Sequence, residues 1–298
     1  MTPCGLAKTT RPVPFGMLFK NLLRVNPSFV GYLLAKDKRI AENYKVFAIF
    51  PEERDCLDFL EVYSCFSKKK TAYFPPSSVL PFSESIAISP SQFERMKVLW
   101  ELPNIKVIAT TVQALMRKTI PGEVLRKEYV YIIPGEEVLR DQFVEELINL
   151  GYERVGVAEE KGCFSVKGMV IDVFSPQYEH PARIEFFGDE VINLRLFDIQ
   201  TQKSIKPLEE LIILPAREAF FPKNAKEIYE RILSYRGKVN SERLSEFLKQ
   251  VEHRKVLENE DFLLPLLFPN LKPLFENSAE KKLYILFEPE ELLHKAQE

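Results

Sequence analysis

With 298 residues, 46% of them hydrophobic and 28% charged, the chain has an ordinary globular composition and is long enough for about two domains. Its 41 Lys and Arg stand against 43 Asp and Glu, a formal net charge of −2, which excludes a chain-wide positive field for holding nucleic acid. Four cysteines without C-x-x-C spacing and three histidines (His180, His253, His294) make a structural zinc site unexpected. Cys56 and Cys65 read as buried thiols rather than a disulfide. No stretch has the length of a signal or membrane-spanning segment, so the expected compartment is the reducing cytoplasm.

In chain order, Lys45 to Phe50 predicts a strand and Glu52 to Phe66 a helix, with Leu57, Leu60, Val62, Tyr63 and Phe66 at helical spacing. Thr71 to Phe74 predicts a second strand, Ser91 to Leu102 a helix opened by Pro90, Ile105 to Thr110 a third strand and Val112 to Lys118 a short helix. Repeated strand-helix steps imply a parallel sheet covered by helices. Past Pro121-Gly122 the pattern changes. A strand, Tyr129 to Ile133, and an amphipathic helix, Glu136 to Leu150 stopped by Gly151, precede strands with no helix between them. These are Cys163 to Lys167, Met169 to Phe174, Ala182 to Phe187, Val191 to Phe197 and Leu208 to Leu214. Helical spacing returns in Ala225 to Tyr235 and Ser241 to Val251, then an apolar stretch Phe262 to Phe268, a strand Lys282 to Phe287 and a helix from Pro289. The expected class is α/β: residues 1–122 and 215–298 form one domain, and 123–214 an inserted α+β domain with an antiparallel sheet.

Chemistry-bearing motifs are sparse. A phosphate cradle needs glycines that let backbone N–H groups wrap the phosphate; no G-x-x-x-x-G-K-[ST] occurs, and Lys20 to Phe29, where a first loop is expected, has no glycine. Gly188-Asp189-Glu190 reads as a hairpin turn, and the three histidines make no general-base arrangement with a nucleophile. No catalytic residue, cofactor or metal is expected.

Alternation in the strand block says more. Ile184 and Phe186 share one face, so Arg183, Glu185 and Phe187 share the other. Phe164 with Val166, and Ile192 with Leu194 and Leu196, are expected to point inward. The outer face then combines Lys167, Arg183 and Arg195 with Phe187 and Phe197. Two readings fit: a charged face, solvated or covered by the Glu136 to Leu150 helix, or the centre of a protein interface, which arginine and aromatic residues favour.

The same residues carry a resemblance. Leu150-Gly151-Tyr152-Glu153-Arg154-Val155, Gly162 to Gly168, Ile171-Asp172-Val173-Phe174, Arg183 to Glu190 and Leu214-Pro215-Ala216-Arg217-Glu218 resemble the inserted domain shared by UvrB and the bacterial transcription-repair coupling factors. Leu80-Pro81-Phe82 through Ser89-Pro90-Ser91 to Glu94-Arg95, and Leu264 to Phe268, favour the coupling factors; a phosphate loop and a tyrosine-rich hairpin, expected of UvrB, are not seen. The resemblance implies a degenerate, nucleotide-free RecA-like domain interrupted by a small domain that binds UvrA. It further implies that Lys167, Arg183 and Phe187 contribute to that contact, with Lys167 standing where the family has arginine. It also implies a non-catalytic role in nucleotide excision repair. RNA polymerase is a partner only if the chain is a fragment of a longer protein; the polymerase-binding and motor regions have no counterpart here, so the chain is expected to be a fragment or a free-standing module, with its UvrA face uncovered. The rival expectation is a DNA-binding accessory that sets Lys167, Arg183 and Arg195 on phosphate. Arg183 and Phe187, pointing away from the core, are each expected to contribute no more than about 1 kcal/mol to folding.

Overall fold

The structure, a computed structural model, describes residues 26–77, 89–222, 225–234, 245, 248–249 and 260–297. The expected helix Ser241 to Val251 and the Leu80 to Phe82 motif lie largely or wholly outside these residues. In chain order the strands are β1 (Lys45–Phe50), β2 (Thr71–Phe74), β3 (Val107–Thr111), β4 (Val130–Ile132), β5 (Glu153–Arg154), β6 (Cys163–Lys167) and β7 (Val170–Val173). They continue with β8 (Ala182–Phe187), β9 (Glu190–Phe197), β10 (Ser204–Pro207), β11 (Leu211–Ile213) and β12 (Lys282–Leu286). The helices through the first half are α1 (Pro27–Lys36), α2 (Lys38–Asn43), α3 (Glu53–Phe66), α4 (Pro90–Glu101), α5 (Val112–Met116), α6 (Gly122–Leu125) and α7 (Arg140–Asn149).

One sheet is parallel throughout and takes its strands from both ends of the chain, in the order β12-β1-β3-β2. Every residue of β1 is buried, as a central strand covered on both faces requires. Cys56, Phe59, Leu60 and Tyr63 of α3 recur at helical spacing and cover one face together with Val30 and Leu34 of α1. Lys45, fully buried at the start of β1, reaches the Glu280 carboxylate at 3.1 Å, and Lys106 pairs with the same group, so one glutamate ties three chain segments together.

A second sheet of six strands, order β10-β9-β8-β7-β6-β5, is antiparallel except for the short β5–β6 pair. Its inner rows, Phe164, Ile171, Ile184 and Leu194 among them, pack under α7 and share one continuous core with Phe47, Phe74 and Ile108 of the parallel sheet. Arg95 of α4 stacks on Phe74, donates from Nη1 to the Pro75 carbonyl at 2.9 Å and pairs with Glu218 in the segment after β11. That buried pair fastens the chain leaving the second sheet to the first.

Several expectations change. Residues 136–138 are not helical: the Gly135 and Val138 N–H groups donate to the Val191 and Asp189 carbonyls, each at 2.7 Å, and α7 begins only at Arg140. The edge of β9 has N–H and C=O groups that need partners, and this segment supplies them. Leu211 to Ile213 does not join the six-stranded sheet; it pairs antiparallel with β4 in a separate two-stranded sheet. Strands β5 and β10 were not expected. The register between β8 and β9 skips Ile192, so Val191 turns inward and Ile192 outward, the reverse of strict alternation. Cys56 is a buried free thiol as expected, but Cys65 is a free thiol on the exposed side of α3. Of the glycine-free stretch Lys20 to Phe29, Pro27 to Phe29 are helical; the strand-to-helix joint is Pro51-Glu52, also without glycine.

Candidate interaction surface

The outer face of the six-stranded sheet is built by two tight turns at one end. Gly168-Met169 joins β6 to β7 and Gly188-Asp189 joins β8 to β9, with Gly168 at φ +59° and Gly188 at φ +63°, a conformation that side chains with a Cβ disfavour. Lys167 and Phe187 are the last strand residues before these turns. They lie at the same end of the sheet, two strands apart: Lys167 is in register with Val170 and then Glu185, and Phe187 lies two residues further along β8, about 12 Å from Lys167 by the usual spacings. Phe187 is 76% exposed, and Lys167 is exposed with no ion pair among the described residues. Arg140 at the start of α7 donates from Nη1 to the Gly168 carbonyl at 2.7 Å, pinning the first turn to the helix.

Further in, the cross-strand row Ser165–Asp172–Arg183–Arg195 runs from β6 to β9. Arg183 holds both Asp172 oxygens, Nε to Oδ1 at 2.6 Å and Nη2 to Oδ2 at 2.8 Å, and lies over the Phe197 ring at 4.2 Å. Asp172 is 2% and Phe197 1% exposed, so the arginine roofs both. The pairing raises the Arg183 pKa despite partial burial. Arg195 reaches Glu185 at 2.5 Å, and Asn193 donates to the other Glu185 oxygen at 3.0 Å. Burial pushes the Glu185 carboxyl up, but the bonds from Arg195 and Asn193 outweigh it and hold the group below the usual glutamate range.

The structure therefore separates the four residues expected to form the site. Lys167 and Phe187 stand free at the tip, whereas Arg183 and Arg195 are committed to carboxylates. Phe197 faces outward as expected but is buried beneath Arg183. Phe187 is exposed, whereas Arg183 pairs with a buried carboxylate that its removal would strand, so a larger folding contribution is expected of Arg183 than alternation alone implies. Sequence reasoning missed Asp172, Gln202 and Arg140; the parity of Ile171-Asp172-Val173 places Asp172 on the outer face, but pairing it with Arg183 needs the register. No group of three or more histidine, cysteine or acidic residues suited to a metal occurs among the described residues, nor is any described helix long and apolar enough to cross a membrane.

This face lies within residues 130–219, which match the family described as UvrB interaction domain. The similarity to that class of module covers the six-stranded sheet and its two turns. Over longer stretches it is similar to transcription-repair coupling factors: 36% identical over 147 residues to that of Myxococcus xanthus, covering 48% of this chain, and 28% identical over 245 residues to that of Escherichia coli, covering 79%. It is also similar to the UvrABC system protein B of Methanococcoides burtonii, 28% identical over 200 residues that cover 63% of this chain and 29% of the relative. The chain spans 12% and 21% of the lengths of those two coupling factors.

Proposed function

We propose that the chain is a non-catalytic interaction module of nucleotide excision repair that recruits UvrA through the tip of its six-stranded sheet. One observation carries the reading: a phenylalanine three-quarters exposed at the same end of the sheet as a lysine that has no ion pair among the described residues, on a face where Arg183 and Arg195 are already paired with carboxylates. An aromatic anchor with a cation at the same end of the sheet is the composition of an interface centre, and Phe187 is the most exposed large apolar side chain among the described residues. The rival, phosphate binding by Lys167, Arg183 and Arg195, is disfavoured because Asp172 and Glu185 cancel two of those three charges. Salt dependence separates the readings, since phosphate binding falls steeply with added salt.

The parallel sheet is read as a degenerate RecA-like domain without nucleotide. At the joint after β1 there is no glycine, and the first turn of α3 carries Glu53 and Asp55, which repel phosphate at a helix start. Residues 1–122 and 215–298 are read as this domain and 123–214 as the inserted one. Titration of the purified chain with UvrA tests the recruitment reading: saturable binding that Phe187→Ala weakens supports it, and absence of binding overturns it.

A further inference from the structure

We propose that Gln202 is a positioning residue for this surface, holding the Arg183 guanidinium in the orientation in which UvrA meets it; the inference rests on the reading of the outer face as the UvrA contact. Gln202 sits in the β9–β10 turn at φ +58°, one of two non-glycine residues at positive φ among the described residues. The backbone there is tied down without help from the side chain. The Gln202 N–H donates to the Asp198 carbonyl at 2.8 Å, the Asp198 N–H to the Lys203 carbonyl at 2.9 Å, and Asp198 caps Thr201. A glycine would adopt this conformation without the strain a glutamine bears. The side chain is exposed and joins no core cluster, so core packing does not account for it.

Both ends of its amide are used. Nε2 donates to the Ile199 carbonyl at 2.8 Å, which fixes the amide so that Oε1 faces Arg183 and accepts from Nη2 at 2.7 Å. With Asp172 taking Nε and the other Nη2 hydrogen, and Phe197 beneath the plane, three of the five guanidinium N–H groups are spent inside the chain. The Nη1 pair makes no hydrogen bond among the described residues. Those two donors are what the arrangement presents, and an acceptor on the partner, a carboxylate or a main-chain carbonyl, is what they fit. The strain at Gln202 is thereby linked to a fixed donor pair on the surface.

The test uses the whole chain, UvrA titration and thermal unfolding of each variant. Gln202→Gly is expected to unfold at the same or a higher temperature yet bind UvrA about three- to tenfold more weakly, the effect of freeing one long side chain at an interface. Gln202→Glu loses the bond to the Ile199 carbonyl, but its charge holds an oxygen on the Arg183 guanidinium, and it is expected to bind within about twofold of the unaltered chain. The Arg183 Nη2 hydrogens, one of which Gln202 holds, should show faster solvent exchange in Gln202→Gly than in Gln202→Glu. If Phe187→Ala weakens binding while Gln202→Gly binds like the unaltered chain, the positioning role is wrong and the reading of the face stands. If the unaltered chain fails to bind, or Phe187→Ala binds fully, the reading of the face falls and the inference with it.

Discussion

Arg183 and Arg195 lie directly opposite one another across β8 and β9, and each guanidinium engages a carboxylate, Arg183 that of Asp172 and Arg195 that of Glu185. Like charges in directly opposed positions destabilise a sheet, and the two carboxylates remove the repulsion. Arg183→Ala leaves Asp172 buried and unpaired, so a loss of about 2–4 kcal/mol of stability is expected. Removing both partners should cost less than the sum of the single changes. Urea unfolding of the two single variants and the double variant gives the coupling; additive effects would show that the pair is not a unit.

Phe187 supplies the contrast. Because its ring touches neither core cluster, Phe187→Ala is expected to change stability by less than about 0.5 kcal/mol while weakening UvrA binding by about 2 kcal/mol. A fall in melting temperature that matches the fall in affinity would count against an interface role.

Gly151 ends α7 at φ +83°, and a Cβ there would lie 2.7 Å from Arg217 Cγ, beneath the side chain whose Nε donates to the Gly151 carbonyl at 3.0 Å. Strain and overlap add, so Gly151→Ala is expected to lower stability by about 2 kcal/mol or more. Calorimetric melting checks it, and an unchanged melting temperature would mean that neither the positive φ nor the overlap with Arg217 costs stability.

Glu280 gives a pH signature. Burial raises its pKa, but hydrogen bonds from Lys106 and Lys45 outweigh this and leave it below the usual value of 4.5. A depressed carboxylate adds stability that is fully present above its unfolded pKa and is lost as pH falls through the folded one. Stability should therefore drop as pH falls below about 4.5, and Glu280→Gln should flatten that part of the profile. An unchanged slope in the variant would assign the acid loss to other carboxylates.

Mg-ATP should produce no saturable heat on titration, because Pro51-Glu52 and the acidic first turn of α3 stand where a phosphate cradle would be needed. A dissociation constant below about 100 μM would overturn the nucleotide-free reading.

Local patterning was legible where one residue's environment decides it. Strand β1, helix α3, the Pro90 start of α4 and the opposed faces of β8 follow from periodicity and from the residue at each end, because burial repeats every 3.6 or 2 positions. The exposure of Lys167 and Phe187 was legible for the same reason. The Glu136 to Leu150 segment misled because its apolar positions satisfy helical spacing equally well when the first three residues are extended. What makes them extended is the hydrogen-bonding need of β9, some 50 residues further along the chain.

The order of residues was enough for the alternation of strands and helices, the absence of a G-x-x-x-x-G-K-[ST] motif and which side chains of β8 leave the core. Those properties depend on residue type and on neighbours a few positions away. That Arg183 is spent on Asp172, that Phe197 lies beneath it, that Ile192 turns outward at the bulge and that Gln202 closes over the guanidinium came from the folded chain. Each of these depends on strand register, and a shift of a single residue in the pairing of β7, β8 and β9 exchanges every partner across the sheet while leaving the sequence pattern unchanged.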